Sequence, residues 1–145
     1  MREEPQSASP PDHEALSQPM FRAMKQDPEG LPLTGHSGRT LGVRVDGLRR
    51  DIPVAQDGTV SPNTGGMSVA LDEAANLPKP RLPRSLGGEG RDPVFRMSAE
   101  VLPTALRVRA DHYPHAVVEP GQRCPLIAFE TALAGTRRDW RKIHD

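Results

Sequence analysis

In the stretch Ser61-Pro62-Asn63-Thr64-Gly65-Gly66-Met67-Ser68-Val69, turn-forming residues lead into a short apolar run. Pro, Asn and paired Gly favour tight turns, whereas the residues from Met67 onward suit extended chain. The stretch therefore predicts a tight loop that delivers the chain into a strand. Two adjacent glycines, Gly65 and Gly66, let backbone pass close to another group. The Ser68 hydroxyl just beyond them can hydrogen-bond a ribose or a phosphate. A plain hairpin turn whose serine caps its own backbone needs the same residues.

Working outward, the upstream side reads as short extended segments cut by Gly and Pro. Met20-Phe21-Arg22-Ala23-Met24 predicts a first strand. In Leu41-Gly42-Val43-Arg44-Val45 the apolar residues recur at every second position, which predicts a half-buried strand with Arg44 on its outer face. Asp51 to Val60 reads as extended chain, an Asp57-Gly58 turn, and extended chain again.

On the downstream side, Asp72 to Leu77 allows one helical turn before Pro78, Pro80 and Pro83 end it. A Pro-, Arg- and Gly-rich loop then runs to Asp92. Strands are predicted at Pro93–Met97, within Leu102–Arg109, and at His115–Glu119, where consecutive valines suit burial on both faces. Leu126, Phe129, Leu133 and Trp140 form an apolar stripe at helical spacing. They predict a final helix that starts at Pro125 and carries Arg137, Arg138, Arg141 and Lys142 in its last turn.

Composition bounds the whole. The chain has 145 residues, with 19 basic and 19 acidic side chains balancing to zero. One domain is expected at this length. Neutrality excludes a general binder of nucleic acid or of membrane surfaces, which needs a basic excess. No apolar run approaches the roughly 20 residues that span a bilayer. The first 19 residues are polar and rich in Pro, Ser and Glu, and are read as a disordered tail ahead of a domain at 20–145. They lack the apolar stretch of a secretory signal, so a cytoplasmic location is expected. With 16 Pro, 13 Gly and only 3% aromatic residues, long helices are excluded and a small core is expected. The fold class that follows is α+β: a compact, mostly antiparallel sheet with one C-terminal helix.

Few residues offer chemistry. Arg22 and Arg44 sit in apolar strand-like runs, and a guanidinium so held can grip a diphosphate or carboxylate with two parallel hydrogen bonds. Tyr113 offers an aromatic platform. Asp111, His112 and His115 cluster, but on one strand Asp111 and His115 would lie too far apart to share an ion. His13 and His36 stand alone, and no thiolate or carboxylate set completes a metal site. Cys124, the single cysteine, excludes an internal disulfide and has only Arg123 beside it to activate a thiolate. Glu100, Glu119 and Glu130 are the candidate carboxylates, with no diagnostic spacing among them. Walker-type and dinucleotide-fold glycine patterns are absent.

The order of segments is more telling than any one motif. Phe21-Arg22-Ala23 comes first, and Pro62-x-Thr64-Gly65-Gly66-x-Ser68-Val69 follows an Asp-Gly turn. After a Pro-rich middle come His112-Tyr113 and a closing Arg137-Arg138-x-Trp140. This order resembles the NAD-dependent, ADP-ribosyltransferase-like toxins of bacterial type VI secretion systems, over roughly residues 20 to 141. The resemblance implies a split β-sheet whose cleft takes NAD. It places Arg22 on the cofactor and Ser68 on the nicotinamide ribose, with Arg44 a weaker match for the diphosphate. Gly65, Gly66 and Tyr113 complete the expected cofactor site. It further implies a protein target, an immunity-type partner and delivery into other cells without a signal peptide. Met67 stands where the toxin pattern has a hydroxyl, and no glutamate matches the transferase carboxylate. Cleavage of NAD is thus expected as readily as transfer of ADP-ribose. A non-catalytic protein-binding or immunity-type module is the competing reading.

Overall fold

The computed structural model describes residues 18–145. The tail read over residues 1–19 lies outside the described residues up to position 17, and so does His13. Gln18 and Pro19 belong to the folded unit: the Gln18 carbonyl accepts from the Ala99 N–H, and Pro19 opens the first strand.

Eight strands and one α-helix follow among the described residues. They are β1 (Pro19–Ala23), β2 (Thr59–Val60), β3 (Met67–Leu71), β4 (Val94–Ser98), β5 (Leu106–His112), β6 (His115–Pro120), β7 (Cys124–Pro125), α1 (Leu126–Ala134) and β8 (Arg141–His144). Six of them form one sheet in the order β5-β6-β3-β1-β4-β8, and β2 pairs with β7 apart from it. Every pairing between these strands is antiparallel. The protein is a small α+β fold, as the composition and patterning predict.

Alternation along the strands explains the two-sided packing. Met20, Met67, Val69, Phe95, Met97 and Val118 turn to one face, where Phe129 and Leu133 of α1 and Trp140 cover them. Phe21, Ala23, Ala70 and Val94 turn to the other, under Leu77 from a 3-10 turn at Ala74–Asn76. A sheet with apolar residues on both faces must be covered on both.

One pairing is short, and it positions the site. β1 runs beside β4 for five residue pairs, from Pro19↔Ser98 to Ala23↔Val94. Beside β3 it holds only Met20↔Leu71 and Phe21↔Ala70. Beyond Phe21 the two central strands part. The sheet forks there, with Arg22 on one prong and Ser68 on the other.

Three expectations need correction. Leu41–Val45 is not a strand, although Leu41 and Val43 are buried as its alternation requires. Its backbone groups go to loop partners instead: Leu41 N–H donates to Leu33 O, and Arg44 N–H donates to the Asp51 carboxylate. Burial there comes from a wrapped loop.

The helix ends at Ala134, short of the whole stripe. The Thr136 hydroxyl donates to the Leu133 carbonyl and accepts from the Trp140 indole at 3.0 Å, which seats Trp140 in the core after the helix has stopped. Arg137 and Arg138 lie in a 3-10 turn and pair with Asp27 and Glu29, while Arg141 and Lys142 stand on β8. The last-turn macrodipole reading is therefore wrong for all four residues.

Asp111 and His115 are not strung out along one strand. They face each other across the tip of the β5–β6 hairpin, with His115 Nδ1 2.6 Å from Asp111 Oδ1.

Candidate functional site

The fork opens into a cavity of about 310 Å³. Arg22 and Ala23 of β1 and Ser68 to Ala70 of β3 form its floor, and Arg44, Arg81 and His115 reach it from loops and from the hairpin end of β6. Arg22 and Ser68, 46 residues apart in sequence, thus share one concave site.

Arg22 is 5% exposed and, among the described residues, bonds no carboxylate. Its guanidinium fills the fork and donates to main-chain oxygens: Nη1 to Ser68 O at 2.7 Å, and Nε and Nη2 to Thr40 O at 3.1 and 2.8 Å. The Ser68 carbonyl is left over where β1 and β3 stop pairing, and the Arg22 side chain takes it up while also binding the loop carbonyl of Thr40. Burial lowers its pKa to about 10, Asp51 opposes that shift, and the neighbouring Arg81 and Arg44 add to it. A buried cation with no direct counter-ion leaves positive potential in the cavity.

Arg44 is held by Asp51, Nη2 to Oδ1 at 2.9 Å, and this hydrogen bond raises its pKa. Asp51 is in turn fixed by the glycine loop, because Gly66 N–H donates to Asp51 O at 2.9 Å. Gly65 and Gly66 do not line the cavity. A Cβ on Gly65 would lie 2.2 Å from Asp51 O, and one on Gly66 would lie 2.4 Å from Val118 O. Both positions need hydrogen there for close packing of backbone on backbone. Gly65 also has φ +154°. Gly65→Ala should therefore cost about 2–3 kcal/mol, by overpacking against main chain that cannot rotate away. A urea midpoint unchanged from the parent would refute this.

Ser68 lines the cavity, and its hydroxyl has no hydrogen-bond partner among the described residues. Tyr113 does not line it. The ring is 62% exposed, and its hydroxyl donates to the Asp72 carboxylate outside the pocket, which raises the phenol pKa.

Three contributors are not legible in the sequence. Arg81 lies in the Pro-, Arg- and Gly-rich loop, among several arginines that look alike in sequence. Asp51 has the appearance of a turn residue. His115 is visible in the sequence only as part of the Asp111-His112-His115 cluster, because its pairing to Asp111 depends on the hairpin.

Glu119 is fully buried, away from the cavity lining, and is bound by Arg107 Nε at 2.6 Å, Arg109 Nε at 2.9 Å and Asn63 N–H at 2.9 Å. Burial pushes its pKa up, but the hydrogen bonds from Arg109, Asn63 and Arg107 outweigh this and hold it low. Three of the roughly four acceptor sites on this carboxylate are used. Cys124 lies on β7, and burial pushes its thiol pKa up, the reverse of an activated nucleophile. Among the described residues no group of three His, Cys, Asp or Glu side chains could hold a metal ion. No helix among them is long and apolar enough to cross a membrane.

Fold and site together define an α+β protein with a forked antiparallel sheet and a cationic cavity at the fork. No protein-family model matches the chain, and no curated protein matches it in sequence.

Proposed function

We propose that this protein binds NAD in the fork cavity and cleaves the bond between nicotinamide and ribose, as an ADP-ribosyltransferase-like toxin domain would. The single observation that carries the reading is the convergence of Arg22, Arg44 and Arg81 with the unpartnered Ser68 hydroxyl on one cavity. Three guanidinium groups face one carboxylate, Asp51, so the lining has an excess of two positive charges. The diphosphate of NAD carries two negative charges. Arg44 and Arg81 are the partly exposed pair that would take them, while Arg22 is committed to the fork.

The volume sits at the lower end of the range for ligand pockets. It suits the nicotinamide riboside half, with the adenosine half lying across the open side. Departure of nicotinamide leaves an oxocarbenium-like ribose, and Ser68 supports the reading as the hydroxyl that orients it. Among the described residues no glutamate lines the cavity, which favours cleavage of NAD over transfer to a protein.

The test is nicotinamide release from NAD by the purified chain, beside calorimetric NAD binding. Arg81→Ala should weaken NAD binding by about tenfold, with a reduced dependence on salt. Ser68→Ala should lower kcat by about tenfold, on the order of 1.4 kcal/mol in the transition state. Neither release nor binding by the parent chain would remove the NAD reading and leave the non-catalytic protein-binding module in its place.

A further inference from the structure

We infer that His115, held by Asp111, is the general base that activates water for attack on the ribose of NAD in the fork cavity. The inference rests on the NAD reading above and adds to it the acceptor and the residue that deprotonates it.

The geometry begins with the β5–β6 hairpin. Its turn brings Asp111 and His115 face to face, with His115 Nδ1 2.6 Å from Asp111 Oδ1. An ionised carboxylate only accepts, so Nδ1 carries the proton and donates it. In the neutral imidazole the other ring nitrogen, Nε2, then keeps its lone pair, and it has no partner among the described residues. Asp111 stays ionised in this pair. Burial pushes its pKa up, but His115 and two backbone N–H groups bring it lower than that of an ordinary aspartate.

Register places the histidine on the face of the sheet that carries Ser68. His115 lies opposite Ala70, and Ser68 lies opposite Val117, so His115 and Ser68 share a face of the sheet on a diagonal. Such diagonal neighbours are about 7–8 Å apart. Both residues line the cavity. A ribose seated on Ser68 would thus have a water between its C1′ and His115 Nε2.

The step balances without any further reagent. The water oxygen forms a bond to C1′ as the C1′–N1 bond to the pyridinium breaks. The electron pair of that bond goes to N1, and nicotinamide leaves neutral. The water proton passes to Nε2 and from there to solvent, leaving ADP-ribose. Among the described residues no carboxylate other than Asp51 lines the cavity, and Asp51 is already bound to Arg44.

The experiment follows nicotinamide and ADP-ribose together, using the full chain, His115→Ala, His115→Gln and Asp111→Asn. The side chain of His115 is 41% exposed, so its replacement should leave the melting temperature close to the parent's. Both His115 variants should lose about a hundredfold in kcat while KM moves by less than about threefold. Added imidazole should restore part of the rate of His115→Ala, which a merely structural histidine would not permit. Asp111→Asn should lose about tenfold, because its amide no longer fixes the tautomer.

Parent-like kcat in either His115 variant, with the parent active, overturns the base assignment and leaves NAD cleavage standing. NAD binding by the parent without ADP-ribose formation overturns hydrolysis and the base with it, but keeps the cofactor. Neither binding nor cleavage overturns the NAD reading itself and the base with it.

Discussion

Arg22→Met is expected to lower the stability of the folded chain by about 3 kcal/mol, with a melting midpoint about 6–12 °C below the parent's. Arg22 is 5% exposed, and its guanidinium serves a carbonyl of β3 and a carbonyl of the loop at Thr40. Methionine fills much of the same space but donates nothing. The Ser68 and Thr40 carbonyls would be left buried without their partner, at about 1–3 kcal/mol each. Part of that loss is offset, because a desolvated charge is removed as well.

Arg22→Lys should fall between the two. One ammonium is a compact point donor and cannot span Ser68 O and Thr40 O as the planar fork of guanidinium does. Urea unfolding of the three proteins measures the series. A methionine variant within about 1 kcal/mol of the parent would mean that the fork holds without its arginine. It follows that loss of NAD turnover in an Arg22 variant is weak evidence of a catalytic role. Arg81, Ser68 and His115 are the better probes.

Glu119→Ala should cost about 1–3 kcal/mol, from the acceptor lost to the Asn63 N–H and to Arg107 and Arg109, whose side chains are 46% and 32% exposed. The carboxylate is fully buried, and its removal leaves the Asn63 N–H without its acceptor while Arg107 and Arg109 turn to water. Glu119→Gln should cost less, since the amide oxygen still accepts from one donor.

The charge also makes stability depend on pH. The folded pKa of Glu119 lies below its ordinary value of 4.5, so the ionised form is favoured by folding. Its contribution is complete above that ordinary value and is lost as pH falls from there through the folded pKa. Other aspartates held low, Asp27, Asp92 and Asp111 among them, act in the same direction. The difference between the parent and Glu119→Gln isolates the one group. That difference should be constant near neutrality and shrink in acid. A gap that stays constant below about pH 4 would show that Glu119 is not ionised in the fold.

Local pattern made much of the fold legible, and the reasons are physical. β1, β3 and β6 are buried at nearly every position, so a short apolar run suited to cover on both faces is written into their sequence. The turn at Asp57-Gly58 is equally local: Gly58 has φ +83° and closes a hydrogen bond to Ala55 O. The same logic fails at Leu41–Val45, because alternation reports burial and not a partner strand. It fails again past Ala134, where Trp140 keeps the apolar stripe in register although the chain has left the helix.

By itself the sequence determined the α+β class, the loop into β3, the two-sided burial of β6, and Arg22 and Ser68 as residues worth pursuing. All of these follow from side-chain polarity at short spacing. Only the tertiary structure decided the fork, because it depends on where β1 stops pairing with β3, a contact between residues nearly fifty positions apart. The convergence of Arg22, Arg44 and Arg81 is of the same kind, since charge is visible in sequence but proximity is not. Tertiary structure likewise gave Asp111 to His115, Asp51 to Arg44, and Glu119 to its two arginines. In each pair the attraction acts over a few ångströms, and chain folding alone brings the partners within that range.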